Sequence, residues 1–221
     1  MSKAVSITLP DAVLQGDLSV PRGATGIVAF AHGSGSGRHS PRNRFVAEKL
    51  NEAGLATLLM DLLTETEERV DDVTAELRFD INLLARRTAQ VVQWIEAQPA
   101  LRDLPCGLFG ASTGAAAALV AAAALPDDAV RAVVSRGGRP DLAAQSLPKV
   151  TCPVLLIVGG DDDVVIGLNE EAKARLRCPS QLVLVPGATH LFEEPGTLEQ
   201  VADLAAEWFV RHLAGQELQR R

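Results

Sequence analysis

The feature that most constrains this chain is a sustained alternation of short apolar runs with longer stretches of helical period. Two alternating segments, residues 5–9 and 13–20, read as an opening hairpin that turns at Pro10 and Asp11. Residues 26–31, 55–60, 106–109, 130–134, 154–158 and 181–185 are short and almost wholly apolar, as strands covered on both faces must be. Between them, residues 41–53, 79–97 and 113–125 show helical spacing, with Pro41 at a first helical position and Gly54 as a stop. Shorter helical segments are expected near residues 141–146 and 170–176, and a longer one at 198–213. The acidic stretch 64–76 reads as a solvated loop or a short helix.

Strand and helix taking turns in this way require right-handed crossovers. The expected fold class is therefore α/β, a mainly parallel central sheet flanked by helices on both faces. No repeat or linker interrupts the 221 residues, so residues 1–221 read as a single domain. Aromatic residues make up only 4% and tyrosine is absent, so the interior must be built from Ala, Val, Leu and Ile. In open parallel sheets the chemistry collects at the carboxyl ends of the strands. Every motif below falls just after a strand.

Gly110-Ala111-Ser112-Thr113-Gly114 is a G-x-S-x-G pattern set between an apolar run and a small-residue helix. A sharp strand-to-helix turn of this kind strains the serine backbone and tolerates only small neighbours, leaving the hydroxyl clear of the sheet. Such a hydroxyl needs a base, most often histidine, oriented by a carboxylate. Of the four histidines, His32 and His39 lie in the glycine-rich stretch HGSGSGRH and His212 falls in the last turns of a helix, a surface position. His190, in PGATHLF after the last strand, is the candidate base. The acid belongs after residues 154–158, where Asp161, Asp162 and Asp163 stand together. Three adjacent carboxylates cannot all be buried and ionised, so two must face solvent or cap the next helix.

Together, HGSGSG, GASTG, VGGDDDVV and PGATHLF resemble the α/β-hydrolase superfamily, and within it the dienelactone-hydrolase-like branch without a large lid domain. The resemblance covers nearly the whole chain. It implies an acid in the pattern G-x-x-D-x-x-V, which sets Gly159 as the glycine and favours Asp162, with Asp161 and Asp163 as alternates. It also implies an oxyanion hole made by the backbone N–H groups of Thr113 and Ser34. Dienelactone hydrolases proper carry a cysteine nucleophile where this chain has Ser112, a departure that points toward a general carboxylesterase of the EC 3.1.1 class.

The expected function is hydrolysis of an ester, or similar acyl bond, of a small-molecule substrate by Ser112, His190 and Asp162 through an acyl-enzyme. Alternatives on the same residues are an acyltransferase or thioesterase, or a catalytically silent small-molecule receptor. Arg38 in the glycine-rich loop, and Arg136 and Arg139 in the loop expected after residue 134, are candidates to receive an anionic substrate group. The plainer expectation for them is pairing with the acidic residues 67–72 or with water. GSGSG as a dinucleotide loop with Asp61 as ribose acceptor is a competing reading, weakened by its G-x-G-x-G spacing and by Pro41.

A net charge of −7 argues against nucleic acid as a partner. Cys106, Cys152 and Cys178 are separated without metal-ligand spacing, so they read as buried free thiols, and neither metal nor other cofactor is expected. No apolar run approaches membrane-spanning length and the N-terminal residues lack a leader pattern, so a cytoplasmic protein without membrane contact is expected.

Overall fold

The computed structural model describes residues 2–213. Strands β1 (Ser2–Thr8) and β2 (Val13–Ser19) form the antiparallel hairpin, with Ser2 opposite Ser19 and Thr8 opposite Val13. β2 runs antiparallel to β4 (Ala56–Met60). The remaining pairings are parallel and join β4, β3 (Ile27–Ala31), β5 (Cys106–Ala111), β6 (Ala132–Arg136), β7 (Val154–Gly159) and β8 (Ser180–Val185). The 8-stranded sheet has the order β1-β2-β4-β3-β5-β6-β7-β8.

Side chains alternate across each strand, so two separate cores form. On one face α1 (Pro41–Glu52) and α6 (Thr197–Leu213) bury Val46, Leu50, Val201 and Phe209 over Phe30, Phe109 and Val134. On the other, α3 (Ile81–Ala97) and α4 (Thr113–Ala124) cover Ala29, Leu108 and Val133, and α5 (Asp163–Arg175) adds Ala172. The alanines of α4 let its axis come close to the sheet. This is the α/β-hydrolase fold, and among the described residues no helix is long and apolar enough to cross a membrane.

Several boundaries differ from expectation for local reasons. Of the two expectations for residues 64–76 the helix is the one found, α2 (Glu65–Thr74), because Thr64 and Glu67 close a reciprocal capping box at its start. Residues 141–146 do not form an α-helix. The chain there makes two 3-10 turns, Pro140–Ala143 and Leu147–Lys149, and Pro148 cannot continue a helix begun before it. β6 lies two residues beyond the expected strand, which places Arg136 inside the sheet opposite Ala111 rather than in the following loop. His212 is half-buried, not on the surface; its ring packs 4.5 Å from Trp208, and burial lowers its pKa.

Candidate active site

Ser112 stands between β5 and α4 with φ 50° and ψ −120°, a backbone state that costs a non-glycine residue about 1–3 kcal/mol. Two close approaches enforce the turn. A Cβ on Gly110 would lie 2.4 Å from Ala115 Cα, and one on Gly114 would lie 2.2 Å from the Ala31 carbonyl oxygen. Backbone bonds hold the serine in place: its N–H donates to the Arg136 carbonyl at 3.2 Å, and its carbonyl accepts from Ala115 and Arg139, each at 3.1 Å.

β7 and β8 deliver the other two groups. Asp162 occupies the N-cap position of α5 yet makes no capping bond. Its Oδ2 lies 2.8 Å from His190 Nδ1 instead. With Nδ1–H donating to that carboxylate, Nε2 is left as the acceptor a general base requires. Asp161 and Asp163 are both exposed, so the three-aspartate run resolves with one carboxylate turned inward. His190 closes on the elbow from the β6 side: a Cβ on Gly137 would sit 3.6 Å from His190 Cε1 and 3.2 Å from its carbonyl oxygen. Ser112 and His190 thus each meet one of two consecutive residues, Arg136 and Gly137. No hydrogen bond joins them directly among the described residues, a common state of catalytic pairs before substrate arrives.

The glycine-rich loop after β3 meets the elbow from the other side. Ser34 and Thr113 are brought together, but through a side chain: the Ser34 N–H donates to Thr113 Oγ1 at 3.0 Å. His32, to which the sequence assigned no role, is an internal strut. Its Nδ1 bonds the Gly33 carbonyl at 2.9 Å, and its Nε2 accepts the Leu62 N–H at 3.0 Å. The bond to Nε2 requires the neutral ring with its proton on Nδ1, and burial pushes its pKa down. A cavity of about 70 Å³ opens beside this loop, bounded by Gly33, Ser34, Asp61, Leu63 and Leu84. Leu62 and Leu63 themselves are buried in the core.

The candidate anion-binding arginines sort themselves. Arg38 is tied through backbone and side chain to Asp61, with Asp17 nearby, rather than to residues 67–72. This also occupies Asp61, the acceptor that a dinucleotide loop would need. Arg139 holds Asp141 with two bonds of 2.9 and 2.8 Å. Arg136 is 7% exposed, and its Nε and Nη1 have no hydrogen-bond partner among the described residues.

Arg87 was not singled out in the sequence, although Thr64-x-x-Glu67 was there to be read. At 1% exposed it sends Nη1 to the Leu62 carbonyl at 2.8 Å and both terminal nitrogens to Glu67 at 2.7 Å. It thereby ties α2 to the end of β4. Cys106 and Cys152 are buried thiols whose burial pushes them up to about 12, while Cys178 is half-buried. Among the described residues no three His, Cys, Asp or Glu side chains converge as metal ligands would.

Residues 14–213 match the family model described as the dienelactone hydrolase family. A solved dienelactone hydrolase from Anabaena variabilis is 57% identical, with TM-score 0.95 over 96% of this chain and 98% of its own. Est1E from Butyrivibrio proteoclasticus shares the fold at TM-score 0.79 and 18% identity, over 96% of this chain and 99% of its own. A curated relative from Mycobacterium tuberculosis is 62% identical over 200 residues, 90% of this chain, and is named "Putative phosphoribosyl transferase". The chain spans 44% of that relative's length.

Proposed function

The chain belongs to the dienelactone hydrolase family, and on that premise we propose that it is a serine carboxylesterase acting on a small ester through Ser112, His190 and Asp162. Ser112 Oγ attacks the ester carbonyl as His190 Nε2 takes its proton. Asp162 holds the ring in the right tautomer and stabilises the imidazolium that forms. The Thr113 N–H, first in α4 and without an intrahelical acceptor, faces the developing oxyanion. The Ser34 N–H joins it by exchanging Thr113 Oγ1 for the oxyanion, one acceptor for another. His190 returns its proton to the leaving alcohol, and water then frees the acyl group by the same steps in reverse.

The observation that carries this reading is the 2.8 Å contact of Asp162 with His190, whose ring lies against Gly137, the residue after the Arg136 carbonyl that accepts from a serine with φ 50°. The test is turnover of a short p-nitrophenyl ester and labelling by a fluorophosphonate. Ser112→Ala is expected to lose both, and Asp162→Asn to lower kcat about 10,000-fold. Labelling that survives in Ser112→Ala removes the serine from its role.

A cytoplasmic location, with no cofactor needed and neither nucleic acid nor membrane touched, completes the proposal. The mycobacterial relative's name, "Putative phosphoribosyl transferase", belongs to a protein of which this chain spans 44%. It favours an ester of a phosphorylated sugar as the first substrate class to try. The same triad passing its acyl group to another nucleophile, or cleaving a thioester, is separated from this reading by the acceptor found on the product.

A further inference from the structure

We infer that Arg136, with Arg42 beside it, forms a subsite for a phosphate monoester group carried by the ester that Ser112 attacks; this rests on the esterase reading above. Of the three arginines first considered, Arg38 and Arg139 are held by carboxylates. Arg136 is not. It lies at the carboxyl end of β6, 7% exposed, with Nε and Nη1 shut away from water and bonded to nothing among the described residues. An unpaired buried charge is among the most costly things a fold can carry. Folds that keep one commonly do so to receive a charge of opposite sign.

The surroundings say where that charge would sit. The guanidinium lies 6.0 Å from the Phe192 ring centroid, on the loop that carries His190. Glu193, the next residue, accepts from Arg42 Nη1 at 3.1 Å, so the two arginines bracket consecutive residues of one loop. Arg42 is the second residue of α1, and its own Nε is also buried without a partner. Burial, with the charge of Arg42 acting in the same sense, pulls Arg136 down to about 10, so it stays cationic at neutral pH. The one carboxylate paired at this place, Glu193, is 65% exposed and bonds Arg42, leaving Arg136 uncompensated.

Three guanidinium nitrogens without acceptors among the described residues, two on Arg136 at the end of β6 and one on Arg42 in the first turn of α1, match a tetrahedral dianion better than a planar carboxylate. A phosphate monoester carries about −1.5 to −2 charges and three acceptor oxygens, and a helix N-terminus adds a favourable field. The Arg136 carbonyl accepts the Ser112 N–H, so the residue that would hold the phosphate is bonded through its backbone to the elbow that carries the attacking hydroxyl. Access is from the rim, where the Arg42 and His190 side chains are 31% and 38% exposed.

Inorganic phosphate is the probe, applied in two ways near pH 7.5. As an inhibitor of neutral p-nitrophenyl ester turnover it is expected to compete, with acetate at equal concentration much weaker. By phosphorus NMR titration it is expected to bind the wild type and Ser112→Ala alike. Arg136→Gln is expected to weaken binding at least tenfold and Arg136→Lys less, with folding checked by circular dichroism and melting temperature. Arg42→Gln, at a half-exposed site where misfolding is not a concern, is expected to weaken it severalfold. Equal phosphate affinity in the wild type, Arg136→Gln and Arg42→Gln overturns the proposal, as does acetate competing as well as phosphate. A wild type that binds phosphate but turns over no ester supports the subsite and sinks the esterase reading, so the two failures are distinct.

Discussion

At the scale of the residue, His32 carries more of the site than its place in a glycine-rich loop suggests. It joins the Gly33 carbonyl to the Leu62 N–H, tying the loop that holds Ser34 to the end of β4, and it does so only while uncharged. Burial lowers its folded pKa below the ordinary 6.5. The unfolded chain therefore takes up a proton that the folded site refuses. The strut's contribution is whole above pH 6.5 and is lost as pH falls below it, until the folded pKa is reached. His32→Gln, neutral throughout, is expected to show a shallower loss of urea midpoint between about pH 8 and about pH 5 than the wild type. An unchanged slope would mean that His32 does not titrate with unfolding. Its role was hidden because nothing in the sequence says which strand end a buried ring will reach. Ser112 and His190 were picked out by short local patterns, whereas among Asp161, Asp162 and Asp163 only the family's pattern favoured Asp162, the one that bonds His190.

At the scale of the element, the lesson is in helix α2 and the first turn of α5. α2 has few buried residues of its own, and its hold on the molecule is Glu67, gripped by both terminal nitrogens of Arg87 from α3. Arg87 holds the Glu67 carboxyl down at about 2, against 4.5 in the unfolded chain. That stabilisation is present above pH 4.5 and fades as pH falls toward 2. Arg87→Met is expected to cost about 3 kcal/mol in urea unfolding, as breaking a largely buried pair does. Hydrogen exchange across Glu65–Thr74 should rise in the same variant, and Glu67→Gln should flatten the acid limb. If α2 amides stay as protected as in the wild type, the clamp is not what holds the helix. The capping box was readable from Thr64 and Glu67, but the reach of Arg87 was not, because a long-range pair leaves no spacing to detect. The start of α5 was missed for the opposite reason. Asp162 occupies the position where an aspartate ordinarily caps, but its carboxylate serves His190. With three adjacent aspartates each able to cap, the sequence did not show which of them stands at the start of α5.

At the scale of the molecule, two cores lie on opposite faces of one sheet, and the question is whether they melt together. The sheet is their common wall: Leu108 and Phe109 are neighbours on β5, yet one belongs to the core under α3 and α4 and the other to the core under α1 and α6. Loss of either layer would expose the same central strands to water, so neither core should survive the loss of the other. Both tryptophans are placed to report this. Trp94 on α3 packs against the first core, and Trp208 on α6 is 7% exposed in the second. Trp94→Phe and Trp208→Phe each leave one fluorophore, on one face. Normalised to its own far-ultraviolet circular dichroism, each variant is expected to unfold in urea with coincident curves, the signature of one cooperative unit. A fluorescence midpoint on either face that departs from the dichroism midpoint would show that the layers unfold separately. The candidate site would then be more fragile than the sheet, since Ser112 leads into a helix on one face while His190 lies on the loop whose Phe192 packs on the other.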